Sequence, residues 1–206
     1  MASNKIDVRM LSKMFLAGAQ NLEAKKEWIN ELNVFPVPDG DTGTNMSMTM
    51  ANAVRELEKY SDETAGKIAS VNASALLRGA RGNSGVITSL LFRGFAKGIG
   101  SDETVTAENL AAAFEFGVES AYKAVMKPVE GTILTVSRLA AEKAKSSAIS
   151  TSSDTLFWKD VCDEAEAVLA QETRIVTDDG EVFTLEAFCF HQLGDDLFLG
   201  AVFTAY

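Results

Sequence analysis

Apolar residues recur at helical spacing through most of this 206-residue chain. In residues 7–20, for example, Met10, Leu11, Met14 and Phe15 fall on one face of a helix. The same spacing predicts further helices over residues 21–32, 44–60, 64–80, from 83 or 84 onward, 107–126, from 131 onward and 154–171. Short turns connect these segments. The predicted fold is therefore all-α, an up-and-down antiparallel barrel of about eight amphipathic helices.

The C-terminal residues 172–206 follow a different pattern, in which apolar residues alternate with polar or small ones. The dipeptide Asp179-Gly180 is a strong hairpin signal between two such runs. We therefore expect two or three antiparallel strands, and we divide the chain into a helical domain, 1–171, and a short β-rich tail, 172–206. An unpaired strand edge in the tail would favour a homodimer.

The charge and the cysteines exclude several classes of protein. The formal net charge of −10 argues against nucleic-acid binding, which needs a basic face. No apolar run reaches the roughly 20 residues that span a bilayer. Cys162 and Cys189 form no disulfide framework, so we interpret them as reduced thiols that pack as small hydrophobic residues. These features predict a cytoplasmic protein without a transmembrane segment.

One connection, NVFPVPDGDTGTNM at residues 33–46, concentrates negative charge and backbone constraint. Asp39 and Asp41 flank Gly40, which lets the backbone bend so that both carboxylates face one point. Two prolines stiffen the segment that precedes these two carboxylates. Such a rigid pair of oxygen ligands suits Mg²⁺, and Asn33 is a candidate for a further oxygen. A tight turn with helix capping explains the same residues, and Ca²⁺ is also compatible, although the spacing is not that of an EF-hand.

Two glycine-rich turns lead directly into predicted helices. Free N–H groups at a helix start bind anions, and glycine permits a close approach. The candidate phosphate-binding residues are Thr42, Gly43, Thr44 and Asn45 in the first turn, and Gly82, Asn83, Ser84 and Gly85 in the second. Arg78 and Arg81, beside the second turn, either help to neutralise phosphate or are simply solvated. An ordinary helix–helix turn with an Asn or Ser cap is the alternative for the second turn.

Three stretches in combination resemble a known family: NVFPVPDGDTGTNM, LLRGARGNSGVITSLLFRGF and AYKAVMKPVEGTILTV. They are similar to the nucleotide-binding (DhaL-like) domain shared by the dihydroxyacetone kinase L subunit and the bacterial fatty acid kinase ATP-binding subunit, and the match is closest to the second. The resemblance covers residues 5–171. It implies a barrel of antiparallel helices that holds ADP or ATP at one end through two Mg²⁺ ions.

The resemblance also implies roles for individual residues. Asp39 and Asp41 would coordinate the magnesium pair and so carry the catalytic chemistry, with Asn33 as a weaker stand-in for a third aspartate of the dihydroxyacetone kinase branch. The two glycine-rich turns would form the phosphate loops. Thr132 and Ile133 fall where the family places residues near the nucleotide base.

The implied activity is that of a kinase. It would transfer the γ-phosphoryl group of ATP to the carboxylate of a fatty acid, which a separate fatty-acid-binding carrier protein delivers, and the acyl phosphate would serve phospholipid synthesis. Phosphoryl transfer depends on positioning and charge neutralisation more than on a protein nucleophile, so His191, the only histidine, needs no catalytic role.

Two alternatives stay open. One is a dihydroxyacetone kinase-type subunit, whose bound ADP is rephosphorylated by a phosphocarrier protein. The other is a nucleotide-binding module without catalysis. The second alternative arises because the family continues with a helix and a nucleotide-closing loop, and this chain has its strand-like tail at the corresponding position, after Gln171.

Overall fold

Seven α-helices make up most of the computed structural model, which describes residues 6–33, 38–60, 63–151, 153–170, 173–176 and 182–185. They are α1 (Val8–Glu31), α2 (Thr42–Leu57), α3 (Ala65–Gly79), α4 (Gly82–Ile99), α5 (Ala107–Ala124), α6 (Ile133–Ser150) and α7 (Asp154–Ala170). The predicted all-α class is confirmed. None of the helices in this described part of the chain is long and apolar enough to cross a membrane.

Helix α1 is continuous where the sequence predicts two helices, at residues 7–20 and 21–32. No proline interrupts it, and Leu11, Phe15 and Leu22 lie on one buried stripe that continues across the expected break. A single apolar face of this length packs as one rod, so the predicted break is wrong. The described residues therefore form seven helices rather than about eight.

Consecutive helices pack side by side and antiparallel, as the α4–α5 pair shows. A Cβ added at Gly94 would lie 2.1 Å from the Phe116 carbonyl oxygen, and one at Gly98 would lie 2.4 Å from the Ala113 Cα. Residue numbers rise along one helix as they fall along the other, and glycine lets the two backbones touch. Further contacts join α1 to α3 and α2 to α4. Closure of these helices into a barrel stays a prediction.

A chain of aromatic rings crosses the core and links helices that are distant in sequence. Phe15 of α1 meets Phe92 of α4 edge-on, with ring centroids 5.5 Å apart. Phe95 of α4 meets Phe114 of α5 at 5.3 Å, and Phe114 meets Trp158 of α7 at 6.2 Å. Edge-on and tilted ring pairs of this kind add to the free energy gained by burying apolar area. The core thus fixes α1, α4, α5 and α7 relative to one another.

Main-chain hydrogen bonds join the elements at one end of the bundle. Ile6 and Val105 exchange two backbone hydrogen bonds of 2.9 Å, which tie the segment before α1 to the α4–α5 connection. The same connection caps α3, because the Gly66 N–H donates to the Asp102 carbonyl at 3.0 Å. The starts of α1, α3 and α5 therefore lie at this end, and the starts of α2 and α4 lie at the opposite end.

A two-stranded antiparallel ladder follows the helices. Strand β1 (Thr173–Val176) pairs with β2 (Val182–Leu185), and Val176 lies opposite Val182. This pairing agrees with the predicted strands. The predicted Asp179-Gly180 turn and any third strand lie outside the described residues, and the division of the chain at 171/172 stays a prediction.

Candidate functional site

The two glycine-rich turns of the sequence meet in the structure. A Cβ added at Gly82, the first residue of α4, would lie 2.6 Å from the Asn45 Nδ2 in the first turn of α2. A Cβ at Gly85 would lie 2.4 Å from the Thr49 Oγ1, one turn further along α2. Gly82 also has a φ of +58°, which glycine adopts without strain. Glycine at both positions lets the start of α4 lie directly against α2.

Thr49 joins the two turns through hydrogen bonds, although it belongs to neither of the two motifs. It is fully buried, and its Oγ1 donates to the Asn45 carbonyl at 2.7 Å. The same oxygen accepts the Arg81 backbone N–H at 3.2 Å. One side chain thus fixes the residue that precedes α4 to the second turn of α2.

Two asparagines at the end of α1 hold the start of α2. The Thr44 N–H donates to the Asn30 Oδ1 at 3.0 Å, and the Asn30 Nδ2 donates to the Thr44 Oγ1 at 2.9 Å. The Asn33 Oδ1 accepts both the Thr42 N–H, at 3.1 Å, and the Thr42 hydroxyl, at 2.6 Å. A helix leaves its first N–H groups without internal partners, and here one side chain of α1 and one from just after it satisfy two of them.

This arrangement bears on the expected roles of the first turn. An amide oxygen has two lone pairs, and both of those on the Asn33 Oδ1 face Thr42. Asn33 therefore positions α2 in this structure, and its place as a metal ligand stays a prediction. Gly43 lies against α1, because a Cβ there would stand 2.1 Å from the Lys26 carbonyl oxygen. Packing of α2 against α1 therefore requires glycine at position 43, independently of any role in binding a ligand.

In the described part of the chain, the first turn of α4 has more backbone N–H groups without a hydrogen-bond partner than the first turn of α2. The N–H groups of Gly82, Asn83 and Ser84 have no partner among the described residues, and helical bonding begins with the Gly85 N–H, which donates to the Arg81 carbonyl at 3.0 Å. Three free N–H groups at a helix start form a ready site for an anion. The second glycine-rich turn therefore offers more donors than the first.

The acidic pair lies just before α2. Asp39 and Asp41 are both exposed, and Gly40 between them has a φ of +66°. Asp41 occupies the N-cap position of α2, yet its carboxylate makes no capping hydrogen bond, and no described residue donates to Asp39. The side chain of Asp41 therefore does not supply the helix capping that the tight-turn alternative includes, and the tight turn itself stays open as an alternative.

The residues present fit a magnesium ion. Asp39 and Asp41 are exposed carboxylates at this turn, and among the described residues no group of three or more His, Cys, Asp or Glu side chains gathers at one point. Mg²⁺ is commonly held by one or two carboxylates together with waters and substrate phosphates. Two uncapped, exposed carboxylates on a glycine turn are donors of this kind, and a metal ion there stays a prediction.

The third candidate turn has a clear structural role. Thr132 caps α6, since its Oγ1 accepts the Leu134 N–H at 3.3 Å and donates to the Val129 carbonyl at 2.8 Å. Ile133 is fully buried in the core, so its side chain does not face solvent. Because α6 runs antiparallel to α5, this turn lies at the same end of the bundle as the starts of α2 and α4.

Glu130 anchors the same turn. Its Oε2 accepts the Thr135 hydroxyl at 2.8 Å and pairs with the Arg138 Nη2 at 2.9 Å, and its Oε1 accepts the Tyr122 hydroxyl at 3.3 Å. The hydrogen bond from Thr135, followed by that from Arg138, lowers the pKa of Glu130 below its ordinary value. The carboxylate thus joins α5, the turn and α6.

Comparison with known proteins identifies this arrangement. The family model of the DAK2 domain matches residues 36–186, which include the acidic pair and both glycine-rich turns. The chain belongs to the DAK2 domain family. The DhaL-like resemblance predicted from the three motifs is thereby confirmed. DAK2 domains are kinase-related phosphotransfer domains, and those of the dihydroxyacetone kinase L-subunit type bind ADP or ATP.

Several relatives share this domain. Protein YloV of Bacillus subtilis is 51% identical over 169 residues, which are 82% of this chain and 31% of that protein. An uncharacterized protein of Staphylococcus saprophyticus is 46% identical over 166 residues, 81% of this chain and 30% of its own length. One from Staphylococcus aureus is 51% identical over 141 residues, 68% and 26% of the two lengths. The chain therefore spans less than a third of these DAK2 relatives.

Proposed function

We propose that this DAK2 domain is the nucleotide-binding domain of an ATP- and Mg²⁺-dependent fatty acid kinase. The observation that carries the proposal is the contact between Gly82 and Asn45, which sets the free N–H groups of α4 beside the helix that the acidic turn begins. Metal-binding carboxylates and anion-binding amides then share one end of the bundle. A magnesium nucleotide needs both kinds of group.

Each part of the site has a distinct role. Asp39 and Asp41 would hold two Mg²⁺ ions, which would neutralise phosphate charge when bound. The N–H groups of Gly82, Asn83 and Ser84 bind phosphate oxygens. Asn30 and Asn33 keep the start of α2 in place, so that the acids and the amides keep their relative positions. Positioning of this kind supplies a large part of the catalysis in phosphoryl transfer.

The reaction needs no protein nucleophile and no proton transfer. A carboxylate oxygen of the fatty acid forms a bond to the γ-phosphorus, the bond from that phosphorus to the β–γ bridging oxygen breaks, and its electron pair leaves with ADP. The products are an acyl phosphate and ADP, and the total charge is unchanged. The acceptor is proposed from the three motifs, which match the fatty acid kinase branch most closely. A fatty-acid-binding carrier protein would deliver it.

Calorimetry with ATP tests the nucleotide site. The chain should bind ATP with micromolar affinity in the presence of Mg²⁺ and much more weakly in EDTA, and Asp39→Ala and Asp41→Ala should each remove most of the metal-dependent part. Asp102→Ala is the matched control, since Asp102 is an exposed acid in a turn at the opposite end of the bundle. Binding that ignores both the metal and the two acids would refute the site.

A turnover assay tests the acceptor. The chain, ATP, Mg²⁺, a fatty acid and its carrier protein are incubated, and acyl phosphate is trapped with hydroxylamine. Accumulation of the hydroxamate supports the fatty acid kinase. ATP binding without product, with or without the carrier, favours a non-catalytic module. Very slow nucleotide exchange, with phosphate transfer from a phosphocarrier protein, favours the dihydroxyacetone kinase type.

A further inference from the structure

Arg81 is a basic residue at a position where the local structure does not favour one. It occupies the N-cap of α4, where Ser, Thr, Asp and Asn are preferred because their side chains accept a helix N–H. Its guanidinium accepts nothing, so the described part of the chain gives α4 no side-chain cap there. Positive charge at a helix start is also repelled by the helix dipole. Arginine at this position therefore works against the stability of α4.

The backbone of Arg81 is held while its side chain is left free. Its N–H donates to the buried Thr49 Oγ1 at 3.2 Å, and its carbonyl accepts the Gly85 N–H at 3.0 Å. The side chain is exposed and makes no hydrogen bond or ion pair with a described residue. Arg138, in contrast, is engaged with Glu130, Glu142 and Tyr122. Arg81 thus presents an unpaired guanidinium from a fixed point.

Residues that break a local rule without a structural gain are concentrated at functional sites. Arg81 immediately precedes the three free N–H groups of α4 and lies across Thr49 from the first turns of α2. In a chain with net charge −10, an arginine left unpaired beside an anion site has a phosphate as its natural partner. A planar guanidinium can bind two phosphate oxygens at once, which an ammonium cannot.

We infer that Arg81 binds the terminal phosphate of the nucleotide, an inference that rests on the function proposed above. The phosphoryl group to be transferred must face the acceptor. The guanidinium of Arg81 is exposed at this turn, whereas the free N–H groups belong to the backbone of α4, so we assign the transferred group to Arg81. Arg81 would thus pair with the γ-phosphoryl oxygens. It would neutralise charge on them while the acceptor oxygen bonds to the γ-phosphorus and the bond from that phosphorus to the bridging oxygen of ADP breaks. It would favour ATP over ADP.

Arg78 provides a matched control. It is an exposed arginine on the last turn of α3, three residues before Arg81. Its charge acts on a different partner, since the pKa of Glu56 is lowered by its hydrogen bond with Lys59 and, more weakly, by Arg78. Removing Arg78 changes the net charge by the same amount and leaves the start of α4 untouched.

The test is calorimetry of Mg·ATP and Mg·ADP with Arg81→Gln, Arg81→Lys and Arg78→Gln. Loss of a charge-assisted contact should weaken Mg·ATP binding to Arg81→Gln about 10-fold or more and leave Mg·ADP within about 2-fold. Arg81→Lys should lie between the parent and Arg81→Gln, and Arg78→Gln should match the parent. The nucleotide-free Arg81→Gln variant should melt at or above the temperature of the parent, because it removes a charge that the helix dipole repels.

Equal losses for ATP and ADP, or no loss, overturn the assignment to the terminal phosphate. A lower melting temperature in Arg81→Gln together with equal losses for both nucleotides shows a structural role and overturns it as well. If the parent chain binds neither ATP nor ADP, the proposed function fails and this inference fails with it. If the parent binds both nucleotides but Arg81→Gln weakens them equally, only the inference about Arg81 fails.

Discussion

At the scale of single residues, Asn72 stands out because it is a fully buried polar side chain without a hydrogen bond to any described residue. It lies on α3 with a side chain that is 0% exposed, and neither its Nδ2 nor its Oδ1 has a hydrogen-bond partner among the described residues. Asn52, on the facing helix α2, shows the usual case, since its Nδ2 donates to the Ala75 carbonyl at 2.6 Å. A buried amide without partners has lost its hydration and gained nothing in return.

We therefore expect Asn72→Leu to stabilise the protein. The change removes the unsatisfied amide and keeps the number and branching of the side-chain heavy atoms, and the free energy of unfolding should rise by about 1 kcal/mol in urea denaturation. Asn52→Leu is the control, and it should lower that free energy by a similar amount because it deletes a hydrogen bond. A loss of stability in Asn72→Leu would mean that the amide is satisfied in solution.

The residues of the candidate site can be found from the sequence to the extent that their motifs are local, and their roles as ligands stay predictions. Asp39, Asp41 and the glycines at 82 and 85 belong to short motifs whose chemistry can be read along the chain. Asn30 and Thr49 are not of this kind, because their partners lie on other helices or turns. Their roles follow from antiparallel packing, which brings together residues that no spacing rule connects.

At the scale of elements, a carboxylate links the two helices on either side of the α5–α6 connection. Glu130 receives hydrogen bonds from Tyr122, Thr135 and Arg138, and Arg138 also contacts Glu142. The side chain of Glu130 is 62% exposed, so solvent screens the pair and its contribution to stability is small.

This network should depend on pH in a definite direction. The pKa of Glu130 is lowered in the folded protein, so the charged form stabilises the fold above the ordinary pKa of 4.5, and the effect is lost as the pH falls through the lowered value. Glu130→Gln should cost less than about 1 kcal/mol in urea unfolding at neutral pH and nothing in acid. A cost that persists unchanged in acid would show that charge is not involved. Glu142→Gln, the other partner of Arg138, provides the comparison.

Helix boundaries show how far sequence patterns specify elements. The start of α5 was predictable because Thr106 and Asn109 form a reciprocal capping box, a local device. The break expected near residue 20 was not real, since amphipathic periodicity alone does not say where one helix ends and another begins. Closure of the helices into a barrel depends on contacts between distant elements, which periodicity does not encode.

At the scale of the whole molecule, the chain of aromatic rings makes α7 part of the same core as α1, α4 and α5. Cys162 lies on α7, and burial, followed by the nearby Glu166 and Asp163 charges, raises the pKa of its thiol to about 12. The reactive thiolate is therefore scarce in the folded state. The thiol can report on opening of the core.

Labelling of Cys162 should measure that opening. In a Cys189→Ser background, reaction with a disulfide reagent at pH 8 should be roughly a thousandfold slower than for an ordinary thiol, in line with the scarcity of thiolate at the raised pKa. The rate should rise steeply through the urea unfolding transition. Fast labelling in native buffer would contradict the raised pKa of this half-buried thiol.

The asparagine contacts at the end of α1 have a further consequence for kinetics. Because side chains of Asn30 and Asn33 hold the start of α2, the conformational entropy of that segment is lost during folding rather than on binding. A ligand arriving there meets a preorganised surface. Association should then approach the rate of productive diffusional encounter, and differences in affinity among ligands should arise from their residence times.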